Sequence, residues 1–205
     1  HRNLYKLKKN KIDNVIVEAS SHGLDQNRLD NLNLKAGIFT NFSQDHLDYH
    51  KSMGAYLRAK LILFKKLLPK NSYVIADKFI KEYSILEKIS KKRQLKLLDS
   101  NKIFNDIKKL SLSLFGSFQK RNLSMAILAA RLCNLNDTKI RSALKKIKNV
   151  DGRLELIKKY PNDIKVFIDY AHTPDALQEV IKSLKNNLNT NISLVFGCGG
   201  ERDFK

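Results

Sequence analysis

Short apolar runs alternate with longer amphipathic stretches along the chain. Val15-Ile16-Val17, Ala36-Gly37-Ile38-Phe39 and Tyr73-Val74-Ile75-Ala76 predict strands, as do residues 110–115, Lys165–Ile168 and residues 192–196. Between them, helical periodicity runs through roughly 53–68, 79–90, 122–133, 138–148 and 175–187. This alternation predicts an α/β fold with a mostly parallel sheet. The helix from Thr138 stops at Asn149-Val150-Asp151-Gly152, and a new strand opens at Arg153-Leu154-Glu155-Leu156-Ile157. Two domains are therefore expected, 1–150 and 151–205. Both ends read as cut, since the chain starts with His and stops at a strand-to-helix turn, FGCGGERDFK.

Composition narrows the class. At 205 residues the chain is long enough for a large core or two modest ones. A hydrophobic fraction of 42% excludes a disordered polyelectrolyte, and no apolar run approaches the ~20 residues of a spanning helix. No secretory signal follows the basic opening, and Cys133 and Cys198 lack metal-ligand spacing, which fits a reducing cytoplasm. The net charge of +19 is spread along the chain in pairs such as Lys8-Lys9, Lys91-Lys92 and Lys145-Lys146. Without an Arg-rich arm or interleaved aromatics, this charge does not by itself indicate nucleic acid.

Candidate chemistry clusters where apolar runs end, as ligands do beyond the carboxyl ends of strands in open α/β sheets. The first run ends at Glu18, followed by Ser20, Ser21 and His22. This carboxylate and these hydroxyls suit a hard cation and substrate oxygens, or else a serine capping a helix. The second run leads into Asp45, His46, Asp48 and His50, which suit either metal ligation or a cap. In the following helix Lys60 shares a face with Tyr56, Leu63, Phe64 and Leu67. Either it snorkels to the edge or it is a desolvated amine with a depressed pKa. Asp169 and His172 follow the fifth run, with Pro174 and Asp175 placed to start a helix. The final glycines permit close approach to an anion but do not form G-x-G-x-x-G.

In order and spacing these segments resemble the Mur ligase family. The resemblance rests on VEASSHGL with Arg28 following, TNFSQDHLDYH, Ala59-Lys60, the Asn122 helix, DGRLE, DYAHTPDAL and FGCGGERD, and it runs through nearly the whole chain. SSHGLDQNR together with DYAHTPDAL points to the members that add a diamino acid. The resemblance implies a partial P-loop-type central domain over 1–150 and the beginning of a Rossmann-like C-terminal domain over 151–205. It implies a cytoplasmic enzyme of peptidoglycan synthesis, monomeric when full length, that uses ATP and Mg²⁺. Its substrates would be UDP-MurNAc-L-Ala-D-Glu, activated as an acyl phosphate, and meso-diaminopimelate or L-lysine, whose amine attacks.

Carried over by position, Glu18, His46 and Lys60, the last as a carbamate, resemble the catalytic Mg²⁺ ligands. Ser20, Gln26 and Arg28 resemble contacts to the UDP-MurNAc-dipeptide, and Arg202 a contact to the diamino acid. Asn122, Arg153, Asp169 and His172 resemble nucleotide contacts. Gln119 departs from the family's F-N-x-x-N pattern, which leaves adenine contacts there open. No G-x-x-x-x-G-K-[ST] phosphate loop occurs in the sequence, so the chain is expected to be a fragment and inactive alone. The alternatives are another Mur or folylpolyglutamate-type amide ligase, or a basic nucleic-acid-binding module; the resemblance favours no nucleic acid and no membrane.

Overall fold

In the computed structural model, which describes residues 2–110, 112, 114, 116–188 and 191–197, helices outnumber strands. The elements in order are α1 (Arg2–Lys9), α2 (Ser21–Asp25), β1 (Ala36–Phe39), α3 (Leu47–His50), α4 (Met53–Ile62), a π-helical turn (Leu63–Leu67), β2 (Tyr73–Ala76), α5 (Tyr83–Arg93), β3 (Lys96–Asp99), α6 (Asn101–Ile107), α7 (Ser117–Leu132), α8 (Asp137–Leu144), β4 (Glu155–Lys159), β5 (Lys165–Ile168) and α9 (Pro174–Leu188). The strands β1, β2 and β3 form one parallel sheet in that order, with Ala36 opposite Tyr73 and Tyr73 opposite Lys96. Val74, Ile75 and Ala76 of the central strand are fully buried, as a parallel strand covered on both faces requires.

The main core joins Phe39, Leu61, Leu63, Phe64, Leu68, Val74, Leu86 and Ile89, with Leu24 of α2 packed into the same cluster. Burying a side chain such as Phe64 is worth about 1.5–3 kcal/mol. Ser52 starts α4 by accepting a hydrogen bond from the Ala55 amide at 3.2 Å. The expected helix over 53–68 does not stay α-helical. Its last turn widens, and the Leu68 amide donates to the Leu63 carbonyl at 3.0 Å. The extra residue keeps adjacent Leu63 and Phe64 both buried against β1. A Cβ on Gly37 would stand 3.0 Å from Phe64 Cε1 and 3.1 Å from Leu63 Cδ2, so any larger residue would require both side chains to give by a few tenths of an ångström.

Two expected strands are absent. Residues 12–20 and 191–197 form no ladder, and Ile16, Val195 and Phe196 lie exposed. An apolar run becomes a strand only where a neighbour takes its backbone hydrogen bonds, and none lies beside either run among the described residues. The run at 110–115 lies partly outside the described residues. The pairing of β4 with β5 is antiparallel, not parallel, with a register shift between Leu156 and Lys158. Leu154, Val180 and Leu184 form the core where this pair meets α9, and Phe118 of α7 packs against it.

A third cluster, Ile107, Ile127 and Ile140, joins α6, α7 and α8. Arg121 of α7 pairs with Asp77, a buried carboxylate just beyond β2, and its guanidinium lies 4.3 Å from the Phe104 ring centre. Together these contacts staple α7 to the sheet's carboxyl end.

Candidate active site

The parallel strands direct their carboxyl ends to one side, and the chain leaving β1 runs from there into Asp45, His46 and α3. Ser20 caps α2, its Oγ accepting from the Gly23 amide at 3.1 Å. Ser21 Oγ and His50 Nε2 lie 2.9 Å apart in the interior, tying α2 to α3. The His22 ring fills the space between them, 4.8 Å from His46, 4.2 Å from Tyr49 and 5.4 Å from His50. On the far side, Tyr56 stacks on His50 at 5.3 Å and meets His46 edge-on at 5.6 Å. His46 itself has φ of 57°, the left-handed region that histidine tolerates better than most residues, and its amide donates to Asp45 Oδ1 at 2.8 Å.

Lys60 follows Tyr56 by one helical turn, and its Nζ stands 5.1 Å from the Tyr56 ring centre and 5.9 Å from that of Phe39. Burial holds the Lys60 amine below its ordinary pKa, against the opposing pull of Asp45. The desolvated reading of this lysine thus describes its setting better than a snorkelling one. Burial also lowers His46, where Asp45 opposes, and lowers His50, where His22 adds to the effect. Burial pushes the Tyr56 hydroxyl up to about 12. Burial at this site thus works against the charged forms of Lys60, His46, His50 and Tyr56.

A second group gathers before α9. Asp169 accepts from the Leu154 and Ala171 amides, each at 2.7 Å, and so fixes the β4 entry and the loop after β5. The Arg153 guanidinium lies 4.8 Å from the Tyr170 ring centre, and His172 meets Tyr170 edge-on at 5.2 Å. Gln119, buried in α7, donates to the Arg153 carbonyl at 2.8 Å. His172 Nε2 comes within 3.8 Å of Asp45 Oδ2, which links the two groups.

His46 and Lys60 thus share one aromatic wall, and Arg153, Asp169 and His172 form one group, while Gln26 and Arg28 bond to each other at the end of α2. Glu18 is not drawn in: it lies exposed in chain without regular secondary structure ahead of α2. Asn122 is exposed on α7, and Arg202 and Cys198 lie outside the described residues. Sequence reasoning missed Tyr49, Asp25 and the role of Tyr56 as the wall between His46 and Lys60. The spacing of His46, His50 and Tyr49 along one short helix was the available signal.

Among the described residues no group of three His, Cys, Asp or Glu side chains is placed to hold a metal ion. A sparse donor set of one carboxylate and imidazoles does not make an all-protein cage. A hard divalent cation held there would have to complete its coordination from water and phosphate oxygens.

Comparison with known proteins shows which family the chain resembles over its length. The profile of the Mur ligase middle domain matches residues 1–130, and that of the Mur ligase glutamate ligase domain matches 152–205. A Rickettsia bellii protein named UDP-N-acetylmuramoyl-L-alanyl-D-glutamate--2,6-diaminopimelate ligase is 41% identical over 222 residues, covering 97% of this chain and 46% of its own. A Wigglesworthia glossinidia brevipalpis protein of the same name is 38% identical, covering 96% and 44%. The solved structure of a ligase of that name superposes with a TM-score of 0.62 at 28% identity, covering 91% of this chain and 42% of that one. The chain spans about half the length of the curated relatives it matches. No helix among the described residues is long and apolar enough to cross a membrane. With a family profile spanning most of its length, over a parallel three-stranded sheet, the chain belongs to the Mur ligase family.

Proposed function

We propose that this chain is part of an ATP-dependent ligase that joins a diamino acid to UDP-MurNAc-L-Ala-D-Glu in peptidoglycan synthesis, in the cytoplasm. The observation that carries the reading is the meeting of the Ser20–Arg28 turn, the Asp45–His50 turn and Lys60 around one aromatic wall. The names of the curated relatives favour diaminopimelate over L-lysine. The working protein is a monomer that binds neither nucleic acid nor membrane, with its domain division near residues 149–152.

Acyl-phosphate formation crowds anions together, so the protein must position and neutralise more than it must attack. Gln26 and Arg28 hold the dipeptide end of the UDP substrate, together with Ser20 once its cap bond is shared. Arg153, Asp169 and His172 bind the nucleotide, with Asn122 reaching it from α7, and Arg202 takes the diamino acid. Glu18, His46 and a carbamate on Lys60 would hold Mg²⁺, which when bound spreads the charge developing on the transferred phosphoryl group. The burial that lowers the Lys60 pKa supports the carbamate, because it eases formation of the neutral amine and only a neutral amine adds CO₂. The phosphate loop would come from outside these 205 residues, and the chain alone would be inactive.

The test is ligation by the full-length gene product. Phosphate release from ATP should depend on both UDP-MurNAc-L-Ala-D-Glu and diaminopimelate, with L-lysine a poor replacement. ATP turnover indifferent to the UDP substrate would overturn the reading.

A further inference from the structure

The end of α2 carries a hydrogen-bonded relay that the proposed mechanism leaves unused. The Tyr49 hydroxyl donates to Asp25 Oδ2 at 2.9 Å and accepts from Gln26 Nε2 at 3.3 Å. This fixes which way the Gln26 amide faces, because its NH₂ is turned to the tyrosine and its Oε1 to Arg28, whose guanidinium donates to it. The phenol ring is not free to move. It packs 4.2 Å from His22 and stands edge-on to His50 at 4.7 Å, and His50 is itself tied to Ser21. Tyr49 is thus a rigid arm rooted in the histidine stack, with a polar tip that reaches the solvent side of α2.

We propose that Tyr49 is the positioning residue for substrate recognition by Gln26 and Arg28, acting through Asp25 and without touching the reacting atoms. The inference rests on the reading that Gln26 and Arg28 contact the UDP-MurNAc-dipeptide. An arginine on an exposed turn has many rotamers, and ordering it during binding costs affinity. The relay orders it beforehand: Asp25 orients the hydroxyl, the hydroxyl orients the Gln26 amide, and the amide oxygen holds the guanidinium. Loss of the tyrosine hydroxyl lets the amide turn over and releases the arginine. The deficit therefore falls on capture of one substrate and not on the chemical step or on ATP.

In the full-length ligase, Tyr49→Phe should raise KM for UDP-MurNAc-L-Ala-D-Glu about three- to tenfold, the range of one or two modest hydrogen bonds. The kcat and the KM for ATP should stay unchanged. Asp25→Ala should have the same effect while leaving the ring stack whole, which keeps the test open if Tyr49→Phe folds poorly. Asp25→Asn, which retains an acceptor oxygen, should restore normal KM. Tyr49→Phe combined with Gln26→Ala should be no worse than Gln26→Ala alone. An unchanged KM in an active enzyme overturns the inference, as does a parallel loss of kcat and ATP affinity, or full additivity with Gln26→Ala. Failure of the unaltered enzyme to use the UDP substrate would overturn the functional reading, and the inference with it.

Discussion

Asp45 holds two histidines from distant parts of the chain, with His46 Nε2 at 3.5 Å and His172 Nε2 at 3.8 Å from the same carboxylate oxygen, Oδ2. One carboxylate thereby joins the turn after β1 to the loop before α9. Once the histidine is protonated, a partly exposed pair of this kind is worth about 0.2–1 kcal/mol. Asp45→Asn and His172→Gln should therefore show a coupling of that size in a double-mutant cycle of urea unfolding in acidic buffer that protonates the imidazole, and strict additivity there would mean that the two groups do not interact.

Arg28→Ala in the full-length enzyme should weaken UDP-MurNAc-dipeptide binding and leave ATP binding nearly intact. A guanidinium meeting an anionic group contributes roughly 1.5–3 kcal/mol. Calorimetric titration with each ligand separates the cases, and equal losses for both would assign Arg28 to the fold.

Lys60→Arg should abolish ligation without unfolding the protein, because a permanent cation can neither add CO₂ nor approach a metal. Added bicarbonate should not rescue it. Near-normal turnover by this variant would show that a simple cation suffices at position 60.

Stability should respond to Lys60 with a defined pH dependence. Burial puts the folded-state pKa of this amine below its ordinary 10.5, so between the two values the unfolded chain binds more protons and stability rises with pH. The penalty of burying the ammonium is fully present below the folded pKa and vanishes near the unfolded one. In bicarbonate-free buffer Lys60→Met should raise Tm at pH 7, with the gain shrinking as pH climbs toward 10.5. A gain that grows with pH would contradict the burial argument.

Arg121→Ala should destabilise the protein by about 1–3 kcal/mol, since it removes the half-exposed guanidinium that pairs with the buried Asp77 carboxylate. Arg121→Lys should recover part of this and not all, having no planar group to lie over Phe104. Chemical denaturation of the two variants measures both effects.

The central strand was legible because Tyr73-Val74-Ile75-Ala76 is a continuous apolar run, which a strand buried on both faces requires. Val15-Ile16-Val17 has the same composition and is not a strand, because strand formation depends on a partner that local sequence cannot supply. The Lys60 conflict was visible as a cation on an apolar helix face, and its physical setting follows from that face. The histidine stack was not visible. His22 meets Tyr49 and His50 only after α2 and α3 pack, and no periodicity encodes a contact between separate elements. Ser20 shows a third limit: its sequence context fits a cap and a ligand equally, and the hydrogen bond to Gly23 reveals that the cap is made.

The widened turn at Leu63–Leu67 gives the helix before it a seam. Upstream, Tyr56 and Lys60 answer to the chemistry beside them; downstream, Leu63 and Phe64 answer to the fit against Gly37. In an unbroken α-helix one rotation would set both faces, and a change that improved packing would swing the lysine with it. The extra residue in the last turn loosens that link, so a substitution that repacks Leu67 or Leu68 need not rotate Lys60.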